Sequence, residues 1–187
     1  MRTTIRRTVA AIAAALALGT GSAVLAASSA SAAPIATEAA SGLLPVCTAG
    51  NLAVWVNYGA GQGAAGTFYY PLEFTNTSNH TCRTWGWPGV SATNANGHQL
   101  GDAARRLHYY TPKWVNIGAG ATAHALLAYG NAEVQTSGCK PTNASLIKVY
   151  APNQRTADFG FFSLPVCTVG GSHVYLRVAN IQPGTNI

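Results

Sequence analysis

The chain reads as an all-β sandwich held by two disulfides. Three observations point there. Short β-prone runs recur along the chain, separated by turns rich in Gly, Asn and Pro. The sequence holds 20 glycines while charged residues make up only 9% of it, which suits turn-rich strands better than solvated helices. Four cysteines, Cys47, Cys82, Cys139 and Cys167, follow an export-type leader. An even count in an exported chain reads as two disulfides.

The leader comes first. Arg2, Arg6 and Arg7 make a basic start, residues 9–18 are apolar, and Ala30-Ser31-Ala32 ends the stretch with small residues. Residues 1–32 are therefore expected to be a signal peptide, cut before Ala33. The paired Arg6-Arg7 also admits a twin-arginine reading, which the flanking Ile5, Thr8 and Val9 fit poorly. No cysteine stands at the cut. No later apolar run approaches the ~20 residues that span a bilayer. The expected product is secreted, with a flexible leader over 33–46 and one domain over 47–187.

Removing the leader changes the charge. Of 11 Lys and Arg, three lie in the leader, so eight remain against five acids and the net charge falls from +6 to +3. The eight are scattered, and only Arg105-Arg106 are adjacent. Nucleic-acid binding wants a concentrated basic face, so no nucleic acid is expected. A monomer is expected.

The strands follow in order. Residues 51–58 place Leu52, Val54, Val56 and Tyr58 on one face. Residues 67–74 are aromatic and β-rich, with Pro71 marking an edge or a bulge. Residues 89–93 lead into Asn94-Ala95-Asn96-Gly97, a hairpin-type turn. Further strands are expected over 113–117, 121–129, 145–151, 158–164 and 173–179. Only 101–107 has the composition of a helical turn.

The pentapeptide Leu-Pro-Val-Cys-Thr occurs twice, at 44–48 and 164–168. Gly50 and Gly170 stay in step beyond it, and Val54-Trp55-Val56 matches Val174-Tyr175-Leu176. Nothing matches before it. It is one local device used twice: a proline-stiffened approach, a cysteine, a glycine turn and a strand. Four cysteines allow three pairings. Residues of an antiparallel hairpin face each other when they are equidistant from its turn. Cys47 and Cys82 centre within 61–66, and Cys139 and Cys167 centre within 151–154. Both are the strongest turn signals between those cysteines. Hairpin geometry thus selects Cys47–Cys82 and Cys139–Cys167, with Cys47–Cys167 as the runner-up.

The chemistry-bearing residues are sparse. The acids past the signal peptide, Glu38, Glu73, Asp102, Glu133 and Asp158, form no paired motif. No GxSxG or HExxH occurs. His80, His98, His108, His124 and His173 are never spaced as a metal pair, and His124 is expected to be packed or hydrogen-bonded. No metal or cofactor is expected, and no catalytic residue is assigned. Aromatics are denser: Trp85, Trp87, Tyr109, Tyr110 and Trp114 lie within thirty residues. Trp55 and Trp114, inside strand-like runs, are expected in the core.

The stretch 74–106 carries a further pattern: Thr75-Asn76-Thr77, Thr81-Cys82, Gly86-Trp87-Pro88-Gly89-Val90, Gly97 and Gly101. It resembles the exported bacterial family DUF4232, a domain of unknown function. Residues 118–130 look like that family's Gly-rich turn and following strand. The resemblance runs from about Cys47 to Val178. It implies an exported, disulfide-bonded, immunoglobulin-like antiparallel sandwich, and it implies no catalytic residue. Members are often lipoproteins, and this chain departs from them by lacking the lipidation cysteine.

Two segments stand out as candidates. Gly86, Trp87, Pro88 and Gly89 read as a structural loop, a tight reversal held by a disulfide at Cys82. The run 105–114 holds the candidate binding residues Arg105, Arg106, His108, Tyr109, Tyr110 and Lys113. Aromatic and basic side chains on one loop suit an anionic cell-wall polymer or a secreted protein partner. The same run also reads as a strand with one solvated face. A secreted hydrolase or protease inhibitor is the alternative.

Overall fold

The computed structural model describes residues 42–131, 139–168 and 175–187. The signal peptide, most of the leader, Glu133, Gly170, His173 and Val174 lie outside them. The strands are, in order, β1 (Leu52–Val56), β2 (Gln62–Ala64), β3 (Thr67–Asn76), β4 (Cys82–Thr84), β5 (Gly89–Thr93), β6 (Arg105–Leu107), β7 (Val115–Ile117), β8 (Thr122–Gly130), β9 (Pro141–Asn143), β10 (Leu146–Tyr150), β11 (Ala157–Phe161), β12 (Pro165–Cys167), β13 (Leu176–Ala179) and β14 (Gln182–Pro183). Two single 3₁₀ turns, Ala49–Asn51 and Tyr58–Ala60, are the helical elements among the described residues.

Side-chain alternation decides which face of each strand turns inward. In β1, Leu52, Val54 and Val56 are buried while Ala53 and Trp55 face out. Trp55 is 45% exposed, which corrects the expectation of a core tryptophan. Its odd register puts it opposite the three buried residues. The large sheet runs β1-β3-β8-β13-β6, with β2 added to β3 and β14 to β8. A smaller sheet runs β11-β10-β5. Leu72, Phe74, Leu127, Leu176 and Val178 of the first sheet share one core with Val90, Ala92, Ile147 and Val149 of the second. Burying each of the larger side chains contributes roughly 1.5–3 kcal/mol. The result is the all-β sandwich, and among the described strand ladders β6 departs from the antiparallel design by running parallel to β13.

That ladder corrects the helical reading of 101–107. Arg105 pairs with Arg177 and Leu107 with Ala179, so this segment supplies backbone partners to the edge of β13. Gly101 starts it at φ +66°, and a Cβ there would lie 2.0 Å from the Cys167 carbonyl oxygen. No other residue fits so close to a backbone.

Pro71 marks a local break in one ladder of β3 rather than the outer edge of a sheet. It lies inside β3, a strand paired on both sides, opposite Leu126. Its missing N–H falls on the β1 side, where the 3₁₀ turn at Tyr58–Ala60 separates β1 from β2. Its carbonyl still accepts from the Asn57 N–H. The ladder is interrupted where the proline has nothing to donate.

Both disulfides form as the hairpin geometry selects, Cys47–Cys82 and Cys139–Cys167. The second pair clamps one continuous hairpin. β10 and β11 pair as Leu146↔Phe161, and further out β12 and β9 pair as Cys167↔Pro141. The first pair differs. β1 and β3 form the hairpin, but the chain turns after Asn76, so Val46 bridges Arg83 in parallel. The expected turns are present: Ala65 and Gly66 both have positive φ, the signature of a type I′ hairpin. The Asn94 side chain accepts from the N–H groups of Asn96 and His98.

Candidate functional site

The tightest turn of the smaller sheet meets the loop after β4. Pro152 breaks β10, and Asn153 adopts φ +61°, a conformation Asn tolerates. The Gln154 N–H closes the turn on the Ala151 carbonyl. The Asn153 side-chain amide then donates to the Trp85 carbonyl at 3.0 Å. On the other side, Gly86 sits at φ +101°, which permits the reversal that separates Trp85 from Trp87. The Ile181 N–H donates to the Gly86 carbonyl and ties the loop to the large sheet.

Between these two loops lies a cavity of about 440 Å³, within the range of small-ligand sites. Trp85, Trp87 and Tyr150 supply aromatic surface to it, and Arg106, Asn153 and Gln154 supply polar groups. Trp85 is 41% exposed, so the cavity opens to solvent. Trp87 is held firmly: its indole N–H donates to the Leu107 carbonyl at 2.8 Å, and its ring lies 4.8 Å from that of His108. The Arg106 guanidinium stands 5.6 Å from the Trp87 ring centroid, and among the described residues Arg106 makes no ion pair.

A ladder of rings continues outward from the cavity. Trp85 and Trp114 have centroids 6.5 Å apart, and the Arg83 guanidinium lies 4.2 Å over Trp114. Trp114 is 50% exposed. The core expectation for Trp114 is thus corrected: Val115 and Ile117 take the inward face of β7 and Trp114 is left on the rim.

The sequence-predicted residues divide. Of the 105–114 candidates, Arg106 lines the cavity and His108 backs its Trp87 wall. Tyr109 and Tyr110 are exposed and form an edge-to-face pair of their own, with centroids 6.5 Å apart. Arg105 precedes Arg106 in β6, so its side chain leaves the opposite face of the strand. Lys113 is exposed and does not line the cavity. The segment read as a structural loop carries the greater share: Gly86, Trp87 and Gly89 all line the cavity, while Pro88 is buried. Tyr150, Asn153 and Gln154 are the residues sequence reasoning missed. They stand more than sixty positions from Trp85, at the end of an expected strand and in the turn that follows it.

The acids lie elsewhere. Glu73 is buried and accepts from the Asn57 amide at 2.8 Å. Burial pushes the Asp158 carboxyl above the usual carboxylate range. Neither lines the cavity. His124 is packed as expected, its ring N–H donating to the Gly184 carbonyl at 2.8 Å. Among the described residues no group of three or more His, Cys, Asp or Glu could hold a metal ion, and no helix is long and apolar enough to cross a membrane.

No curated protein and no solved structure matches the chain. A family model does, over residues 47–182, which contain both disulfides, the Gly86–Gly89 loop and every residue lining the cavity. The chain therefore belongs to the family described as "Domain of unknown function (DUF4232)".

Proposed function

We propose that the protein is a secreted, non-enzymatic binding domain, and that its site is the tryptophan-framed cavity. The observation that carries this reading is the lining itself. Two indoles, a phenol ring, two carboxamides and a guanidinium surround an open space of ligand size. Such groups stack, donate and accept, but none is a nucleophile or an acid–base pair tuned for turnover. Secretion is supported by the leader composition and by two disulfides, which persist in oxidising surroundings. Both disulfides brace the frame on which the two cavity loops stand, as rigid scaffolds brace binding loops elsewhere.

The reading moves the site from the 105–114 run to the two loops facing Arg106. The test is capture of the purified protein on insoluble cell-wall polymer and on immobilised secreted proteins. Trp85→Ala is compared with the double variant Tyr109→Ala/Tyr110→Ala, each checked for folding by near-ultraviolet circular dichroism. Loss of capture in Trp85→Ala alone is the expected result. Loss only in the tyrosine variant would return the site to the 105–114 ridge. Equal capture by all three proteins would remove the cavity from consideration.

A further inference from the structure

Resting on that reading, we propose that the cavity takes an acidic saccharide, a pyranose ring carrying a carboxylate. Three features of the lining select this class. The first is the aromatic surface. A pyranose presents a face of C–H bonds that is apolar and flat, ringed by hydroxyls at its edge. Trp85, Trp87 and Tyr150 offer rings of matching size, and each combines an apolar body with a polar tip. The second is the placement of carboxamides. Asn153 and Gln154 sit side by side on the turn that closes the cavity. A carboxamide donates and accepts at once, so it can serve a sugar hydroxyl in either role.

The third feature sets the charge. Arg106 is the one cation lining the cavity, no acid lines it, and Arg106 has no ion-pair partner among the described residues. A guanidinium fork matches a carboxylate through two parallel hydrogen bonds. One positive charge balances one carboxylate, whereas a phosphate monoester, near −2 at neutral pH, would enter undercompensated. The Trp87 ring below Arg106 holds the guanidinium at the wall through its electron-rich face. The ladder of Trp85, Trp114 and Arg83 then gives an extended chain further rings to lie along outside the cavity. Size argues against a folded protein as the occupant. A specific protein interface buries about 800 Å² per partner, and this concavity admits only a small group.

The experiment uses calorimetric titration of the purified protein with three probes of equal length. They are hyaluronan hexasaccharide, the same hexasaccharide with its carboxylates reduced to alcohols, and chitohexaose. Wild type is expected to bind the acidic hexasaccharide roughly 10-fold or more tighter than its reduced form. Arg106→Gln should abolish that preference, bringing the Kd values of the acidic and reduced forms within about twofold of each other. Arg106→Lys keeps the charge without the fork and should fall between. Arg105→Gln, which removes the same charge from the neighbouring position outside the cavity, should keep the preference and so excludes general charge attraction. Equal affinity for acidic and reduced forms overturns the proposal, as does an equal loss in Arg105→Gln and Arg106→Gln. If no hexasaccharide binds while capture on wall polymer or protein stays sensitive to Trp85, the saccharide assignment fails and the cavity reading stands. If capture is insensitive to Trp85 as well, both fail.

Discussion

The two copies of Leu-Pro-Val-Cys-Thr put one peptide into two environments. In the copy at 44–48, Val46 is 41% exposed; in the copy at 164–168, Val166 is 0% exposed. The first copy runs parallel to its partner, with the Cys47 N–H donating to the Arg83 carbonyl and the Arg83 N–H to the Pro45 carbonyl. The second runs antiparallel to β9 as a true strand. Its Pro165 carbonyl accepts from the buried Tyr129 hydroxyl instead of from a backbone N–H. The downstream match diverges as well: Trp55 faces solvent, while Tyr175 is buried. A shared pentapeptide therefore places a cysteine beside a strand end and says nothing about what the strand faces.

The largest expected difference between the two copies lies at their sulfurs. Sequence separations of 35 and 28 make the two loops nearly equal, so chain entropy assigns roughly 3–4 kcal/mol to each and only a few tenths to their difference. Burial separates them. Cys47 and Cys82 are both core residues, whereas Cys139 is half-buried. Replacing the first pair by alanine should cost the full amount plus about 1 kcal/mol for the space left behind. Replacing the second should cost less. Urea unfolding of the two double variants checks the order, and a larger loss for the second pair would overturn it.

The two valines separate the copies through one substitution made twice. Val166→Ala should cost about 2–3 kcal/mol, since its side chain is wholly buried. Val46→Ala should stay within about 0.5 kcal/mol. Similar losses at the two sites would mean that the copies share an environment after all. A finer probe is Tyr129→Phe, which strands the Pro165 carbonyl in the interior. It should cost about 1–2 kcal/mol. The first copy has no corresponding side chain to remove, because backbone serves Pro45.

A further effect is alkaline. Tyr175 donates to the Leu100 carbonyl, next to the Gly101 that packs on Cys167. Burial, with lesser repulsion from Asp102 and Tyr129, pushes its hydroxyl well above the ordinary tyrosine range. A raised folded-state pKa means stability that is complete below the unfolded value near 10 and is lost as pH climbs above it. Between pH 10 and 11 wild type should lose up to about 1 kcal/mol that Tyr175→Phe does not lose. Parallel alkaline limbs for the two proteins would show that Tyr175 does not carry this dependence.

The fold was more legible in the sequence than the site. Strand periodicity and turn chemistry are local, so β1, β3, β5, β8, β10 and β11 lie where Leu52, Phe74, Val90, Leu127, Ile147 and the Gly and Asn turns imply. Short strands such as β4, β6, β9 and β12 were not legible. Three residues carry too little alternation, and each exists because a neighbour's edge needs backbone partners. The site was half legible. Trp85, Trp87 and Arg106 stood out by composition, but Trp87 and its glycines read as a loop and Arg106 as part of an exposed run.

What the sequence determined by itself was therefore the all-β class, the count and pairing of the disulfides, the turns and most of the inward faces. These follow from side-chain alternation, from residues suited to positive φ, and from equidistance about a turn. Only the tertiary structure decided which of two identical pentapeptides is buried, that β6 runs parallel to β13, and that the Ala151–Gln154 turn stands across from Trp85. Those outcomes depend on which distant surfaces come together when the two sheets pack, and no local pattern encodes a cavity lined jointly by residues 85, 106 and 150.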